Sequence, residues 1–330
     1  MPLQLIRNDI SKVHADAIVN PTNIYLKAGG GVSEAIFTAA GKKELQKECE
    51  KIGYCSVGNA KITKAYKLNA KYIIHTVGPV WKDGNSNEEK LLSDCYNNCL
   101  MLAKQYNFES IAFPIISSGN FGYPKDKALK VALSCFNEFL LDNEIIIYLV
   151  IYDKTSLLIS ERIFSSIKQF IDDNNVQENT LSHGTSIYSS WFVSGAIGNL
   201  YHKKNKIEIE IDVVLNSLGD SFSQKLLKLI DEKGLNDVET YKKANIDRRT
   251  FSKIRSDLNY KPSKSTVIAF SIALELTLEE TKDLLESAGY ALSHSYLFDV
   301  IIEYYITNKN YNIYEINLTL FSLNQNTLGA

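Results

Sequence analysis

Apolar residues fall in short blocks through the first half of the chain and at helical spacing through most of the second. Blocks at 3–6, 17–19, 71–77, 110–115 and 144–151 are short and rich in Ile and Val, so they predict strands. Between them, 32–40, 42–51, 88–105, 125–141 and 155–171 carry apolar residues at steps of three and four and predict helices. Strands alternating with helices predict a three-layer α/β/α domain around a mostly parallel central sheet. In such sheets, ligands gather beyond the carboxyl ends of the strands. Three of the predicted strands lead into loops with chemical content, at 20–31, 116–124 and 152–154.

The first loop holds Asn20-Pro21-Thr22-Asn23 and then Gly29-Gly30-Gly31-Val32 before a helix, with Ser33 its expected N-cap and Gly41 its stop. Glycines let backbone N–H groups approach a ligand, and a helix N-terminus adds unpaired donors and partial positive charge. The loop is therefore either a phosphate cradle with asparagines beside it or a glycine-rich turn. The second loop, Ser117-Ser118-Gly119-Asn120-Phe121-Gly122, is another potential backbone cradle or a Gly/Ser turn running into a helix at Pro124. Two cradles at neighbouring strand ends suit a diphosphate, and Tyr152 at the last strand end offers a flat face for a base or is an ordinary half-buried aromatic.

These motifs, in this order, resemble the macrodomain family, which binds ADP-ribose. The resemblance covers about residues 1–172: Asn8-Asp9-Ile10, Asp16 to Asn23, Gly29 to Val32, Ile74-His75-Thr76-Val77-Gly78-Pro79, Pro114 to Gly122, and Tyr152-Asp153. It implies roles for single residues. Asp9 would accept from the adenine amino group, Ile10 would contact the adenine region and Tyr152 would stack on the ring. Asn20 would be a ligand-binding residue of the same motif, and Asn23 would hold the distal ribose. Gly29, Gly30, Gly31 and Val32 would wrap that ribose and its phosphate, and Ser117, Ser118, Gly119, Asn120 and Phe121 would cradle the diphosphate.

Many catalytic members of the family remove ADP-ribose from acidic side chains or deacetylate O-acetyl-ADP-ribose. In one subgroup an Asp after the Val that follows the glycines positions the attacking water; here that residue is Ser33. A hydroxyl without a neighbouring base is a poor general base. Segment 23–29 also resembles the viral macrodomains, some of which hydrolyse without that Asp and which often carry His where this chain has Ala28. In that pattern Asn23 would orient the water and the substrate's own phosphate would activate it. Asn23 and Ser33 are thus the catalytic candidates.

His75 lies in an apolar run and reads as a core histidine, and His14 as a surface one. Cys95 and Cys99 share a helix face and read as small buried apolar residues. The five cysteines form no zinc or disulfide framework, so no metal and no cofactor are expected, and a reducing compartment is. Asp153 would steady the adenine loop or cap the next helix. Hydrophobic content of 45% permits a sizeable core, and a net charge of −2 sets up no global field that selects partners. There is no window resembling a membrane span and no signal-peptide layout, so the expectation is a cytoplasmic protein.

Composition shifts near residue 172. Residues 173–218 begin rich in Asn, Ser and Thr and read as a linker, with Trp191 and an alternating stretch at 207–214 of undecided structure. From 219 to 330 an all-helical domain is expected, with helices at 222–230, 237–244, 248–255, 265–274 and 278–288 and two further apolar segments in the tail. Over about 221–293 the cadence resembles the helix-turn-helix domains of phage-repressor-like regulators. The third helix would be the recognition helix, presenting Arg248, Arg249, Ser252, Lys253 and Arg255 to DNA. Residues 241–264 contain eight basic and two acidic residues. That is either a DNA-binding face or a solvated face of a protein-interaction module, and the tail helices would complete the domain or form a homodimer interface. Three function classes follow: an ADP-ribosyl hydrolase targeted by its second domain to DNA or a protein partner, a non-catalytic ADP-ribose sensor that regulates transcription, and an antagonist of an ADP-ribosylating toxin.

Overall fold

The computed structural model describes residues 2–152, 166–167, 169–170 and 219–329. The expectations for Asp153, for most of 155–171, for the linker with Trp191 and for 207–214 lie outside them.

Six strands form one sheet in the order β1-β6-β5-β2-β4-β3: β1 Leu3–Arg7, β2 Ala15–Pro21, β3 Ala60–Lys64, β4 Ala70–Thr76, β5 Ser110–Phe113 and β6 Ile146–Ile151. All pairs are parallel except β3 with β4. Side chains alternate between the two faces. Ala17, Val19, Ile74, Ile111, Phe113 and Leu149 join one buried cluster, and Ile18, Ile73, Ala112 and Val150 join another. Burial on both faces is why these strands read as continuous apolar runs. The first cluster is roofed by α3 Glu88–Gln105 and α4 Lys125–Asp142, where Tyr96, Phe113 and Phe136 pack with ring centroids 4.9 to 5.6 Å apart. The second is roofed by α1 Val32–Ala40 and α2 Lys42–Ile52. The expected three-layer α/β/α arrangement is present.

β3 has no counterpart in the sequence reading. Its Ala-Lys-Ile-Thr-Lys pattern puts lysines on an edge strand, which protects the edge but hides the strand from a search for apolar runs.

The C-terminal residues are helical: α5 Phe222–Glu232, α6 Asp237–Lys243, α7 Arg248–Ser256, α8 Lys264–Ala273, α9 Leu278–Ser287, α10 Leu297–Thr307 and α11 Ile313–Ser322. Most have side-chain N-caps, including capping boxes at Ser221/Gln224 and Thr277/Glu280. α8 is buried on every side from Thr266 to Ala273 and forms the centre of the cluster. Ile167 packs into this same cluster and Phe170 lies 5.6 Å from Tyr304, so these residues, placed by sequence with the first domain, contact the helical one.

The tail helices bury their apolar faces within the chain. Ile301, Ile302, Tyr305 and Ile306 of α10 complete the helical core, while Tyr314, Leu318 and Phe321 of α11 pack against the sheet's first cluster. Further links join the two halves. Tyr241 Oη donates to Glu144 (3.2 Å), Lys242 Nζ donates to the Leu141 carbonyl, and Arg7 donates to Asn324 (3.0 Å). The Arg7 guanidinium also lies 5.1 Å from the Phe321 ring centre. Among the described residues, no helix is long and apolar enough to cross a membrane.

Candidate functional site

β2 delivers the first loop. Asn20 is wholly buried, not open to a ligand: its Nδ2 donates to His75 Nδ1 (3.0 Å) across the β2–β4 pair, leaving Oδ1 the only unpartnered atom of its amide. His75 Nε2 meets Thr63 Oγ1 at 2.8 Å, which fits a proton on Nε2. Burial lowers the His75 pKa to about 3, so the ring stays neutral and acts as a core histidine.

Asn23 closes its own loop. Its Oδ1 accepts from the N–H of Tyr25 (3.0 Å) and Lys27 (3.3 Å), and its Nδ2 donates to the Lys27 carbonyl (3.1 Å). The second Nδ2 hydrogen remains for a ligand. Leu26, at φ 55°, is buried beneath the loop and anchors it.

The glycines then turn the chain into α1. The N-cap is Gly31 at φ 65°, a conformation that only glycine adopts without strain, and no side chain caps the helix. Ser33 is therefore not the cap. It lies one residue inside the helix, buried, with Oγ unpartnered. No protein acceptor among the described residues takes the N–H groups of Gly29, Gly30 or Gly31.

The second loop faces the first. A Cβ placed on Gly30 would stand 3.2 Å from Asn120 Nδ2. Ser117 has φ 63° and packs against Gly78, where a Cβ would come within 2.1 Å of the Ser117 Oγ. Gly122 N–H donates to Gly119 O (2.9 Å) and Tyr123 N–H to Ser117 O (3.0 Å). The N–H groups of Ser118, Gly119, Asn120 and Phe121 have no acceptor among the described residues. Two loops with unpaired backbone donors thus meet at Gly30 and Asn120 and border one candidate cleft, and the buried Ser117 Oγ adds another unpartnered polar atom. Ser118 is less available, since its Oγ donates to Ile115 O (2.8 Å).

At the far end of the cleft, β1 and β6 finish side by side, with Asn8 N–H donating to Ile151 O (3.2 Å). Tyr152 follows β6 and is 74% exposed. Asp9 Oδ1 accepts from Ser11 N (3.0 Å) and Oγ (2.8 Å), capping a short turn at Ile10–Lys12. Ile10 is a core residue.

Sequence reasoning placed Gly78 in a motif without a role and missed Trp81 and Glu88; all three shape the second loop from outside it. A tryptophan just after a predicted strand was the available signal. All five cysteines are buried and free, Cys49 Sγ lying 3.8 Å from His75 Nε2, and burial pushes Cys49 up to about 12 and Cys95 up to about 11. No group of three or more His, Cys, Asp or Glu able to hold a metal occurs among the described residues.

Comparison with known proteins addresses the same half of the chain. The Macro domain family model matches residues 19–132. A Macro domain-containing protein of Methanosarcina mazei is 47% identical over 167 residues, 50% of this chain and 89% of that protein. A protein of Salmonella typhimurium named O-acetyl-ADP-ribose deacetylase is 44% identical over 169 residues, 49% of this chain and 94% of that protein. Among solved structures, an Oceanobacillus iheyensis macrodomain with ADP has a TM-score of 0.45 at 37% identity, covering 47% of this chain and 85% of that one. With 89% of the Methanosarcina relative covered at 47% identity, the chain belongs to the macro domain family.

Proposed function

We propose that the cleft binds ADP-ribose and hydrolyses an ADP-ribosyl bond, in O-acetyl-ADP-ribose or in a protein carrying ADP-ribose on an acidic side chain. The observation that carries this reading is the pair of adjoining backbone rows, Gly29 to Gly31 and Ser118 to Phe121, with their N–H groups unpaired. Such rows suit a diphosphate, while Asp9 and Tyr152 at the β1 and β6 ends suit an adenine. The resemblance to the Salmonella deacetylase supports ester cleavage.

Ser33 does not replace the missing carboxylate. It is buried, without a base beside its Oγ, and its neighbour Glu34 pairs with Lys42. The reading is that Asn23 Nδ2 orients water and the bound phosphate takes its proton. A preorganised cradle supplies the remaining stabilisation. The test is a turnover assay on the full chain with both substrates. Asn23→Ala should abolish release, and Ser33→Asp should raise it if Ser33 limits the chemistry. Binding without release from either substrate under any condition would leave a non-catalytic reader.

A second reading concerns the helical half: in a cytoplasmic protein it would carry the ADP-ribose site to DNA. Supporting it, Arg248, Arg249, Ser252 and Lys253 on α7 remain exposed although the domain is docked on the sheet. Arg255 is held instead by Asp237. An antagonist of an ADP-ribosylating toxin would use the same hydrolysis.

A further inference from the structure

The segment between β4 and α3 passes beside the second cradle. Glu88, the first residue of α3, is buried and gathers this segment: Oε1 accepts the N–H groups of Lys82 (3.1 Å), Asp83 (3.3 Å) and Gly84 (3.3 Å), and Oε2 that of Ser86 (2.6 Å). Gly84, at φ 86°, lies directly on the Trp81 indole, since a Cβ there would stand 2.8 Å from Cη2. Tyr123 flanks the indole at 4.6 Å and the Lys127 ammonium lies 5.0 Å from its ring centre.

The backbone N–H of Trp81 donates to the Phe121 carbonyl at 2.8 Å. Among the described residues, this is the only hydrogen bond from another segment to the backbone of 117–122. The Phe121–Gly122 peptide is thereby held at both ends, its carbonyl by Trp81 and its N–H by Gly119. With that peptide fixed, the N–H groups of Ser118 to Phe121 are left unpaired rather than closing onto neighbouring carbonyls.

We propose that Trp81 is a positioning residue for the diphosphate cradle, held in register by Glu88. This rests on the ADP-ribose reading. It predicts that binding strength depends on residues that never touch the ligand, because a loop fixed beforehand loses less freedom when the ligand arrives.

The test uses the full chain and titrates ADP-ribose by calorimetry, with circular dichroism to verify folding. Trp81→Ala should weaken binding by about tenfold or more, because a loop displaced by a fraction of an ångström loses several donors together. The backbone donor survives in both variants, but Trp81→Phe also keeps a ring against Tyr123 to hold that donor in place, and should stay near the unmodified affinity. Glu88→Gln preserves volume and carries the test if Trp81→Ala fails to fold. With Trp191→Phe, Trp81 becomes the only tryptophan. In that background Glu88→Gln should shift Trp81 emission to the red, and saturating ADP-ribose should reverse the shift. A folded Trp81→Ala or Glu88→Gln protein with unmodified affinity overturns the proposal. If the unmodified chain binds no ADP-ribose, the ligand reading fails and the proposal falls with it.

Discussion

The side chain of Asn245 pairs with the backbone of Leu3 as a neighbouring strand would. Its Oδ1 accepts the Leu3 N–H at 3.1 Å and its Nδ2 donates to the Leu3 carbonyl at 3.0 Å. Asn245 sits buried in the turn between α6 and α7, at φ 54°. Leu3 belongs to β1, the outer strand of the sheet, so the helical half closes an edge that would otherwise be open. Asn317 does the same for Leu328 within the helical half, at 2.7 and 3.2 Å.

Asn245→Ala should therefore cost more than a surface change. It removes two buried hydrogen bonds and leaves both backbone groups of Leu3 unsatisfied, an expected loss of about 2–4 kcal/mol. Urea denaturation of the full chain measures it. A fragment ending near residue 172 would expose β1 together with the surface that covers Tyr314, Leu318 and Phe321, and should self-associate in light scattering.

Acid should loosen the Trp81 segment late. Burial alone would raise the pKa of Glu88, but the backbone N–H groups around it outweigh that and hold it at about 2, below its ordinary 4.5. A depressed carboxylate contributes stability that is fully present above pH 4.5 and lost as pH falls through about 2. Trp81 emission followed from pH 5 to pH 2 should report this loss, and Glu88→Gln should flatten the profile in that window.

His75 acts over a higher range with the same sign. Its pKa falls from 6.5 to about 3 on folding, so the unfolded chain binds the extra proton between those values. Stability should decline from near pH 6.5 downward. His75→Gln should lower stability at neutral pH, through the altered contacts to Asn20 and Thr63, while reducing this slope. Thermal melts at stepped pH separate the two effects.

Gly78→Ala tests the fit of the second cradle. The new methyl would stand 2.1 Å from Ser117 Oγ and 2.8 Å from Ile116 Cγ2. Ser117 must turn away and Ile116 must shift, at an expected cost of about 1–3 kcal/mol in melting experiments. Affinity for ADP-ribose should fall in the same variant.

If α7 meets DNA, its arginines are unequal. Arg248→Ala and Arg249→Ala should each lower the slope of log affinity against log salt by about 0.9, the value of one phosphate contact. Arg255→Ala should change it less, because Asp237 already holds that guanidinium. Salt-dependent gel shifts on the full chain distinguish these outcomes, and no shift at low salt would remove the DNA reading.

The strands with apolar runs and the glycine loops were legible because their signals are local: burial on both faces leaves continuous Ile and Val, and an anion cradle needs adjacent glycines. Three features were not. β3 was hidden by lysines suited to an edge. Ser33 looked like a cap because the sequence does not reveal that Gly31, with its positive φ, starts the helix earlier. Trp81 and Glu88 act on backbone atoms of neighbouring segments, so a tryptophan after a strand was visible in the sequence but what it positions was not. The turn at Asn245 could be read in place, but its partner lies 242 residues away.

That separation has a consequence during synthesis. Residues 3–7 are made before 147–151, and they cannot join the sheet until those follow. Even then their outer side stays open until Asn245 leaves the ribosome, 242 residues after Leu3, a delay of roughly 10 to 50 s at ordinary elongation rates. The nascent chain thus carries an unsealed sheet edge from the completion of residue 151 until residue 245 emerges. Slower translation past residue 151 should lengthen its exposure to chaperones, and faster release should shorten it.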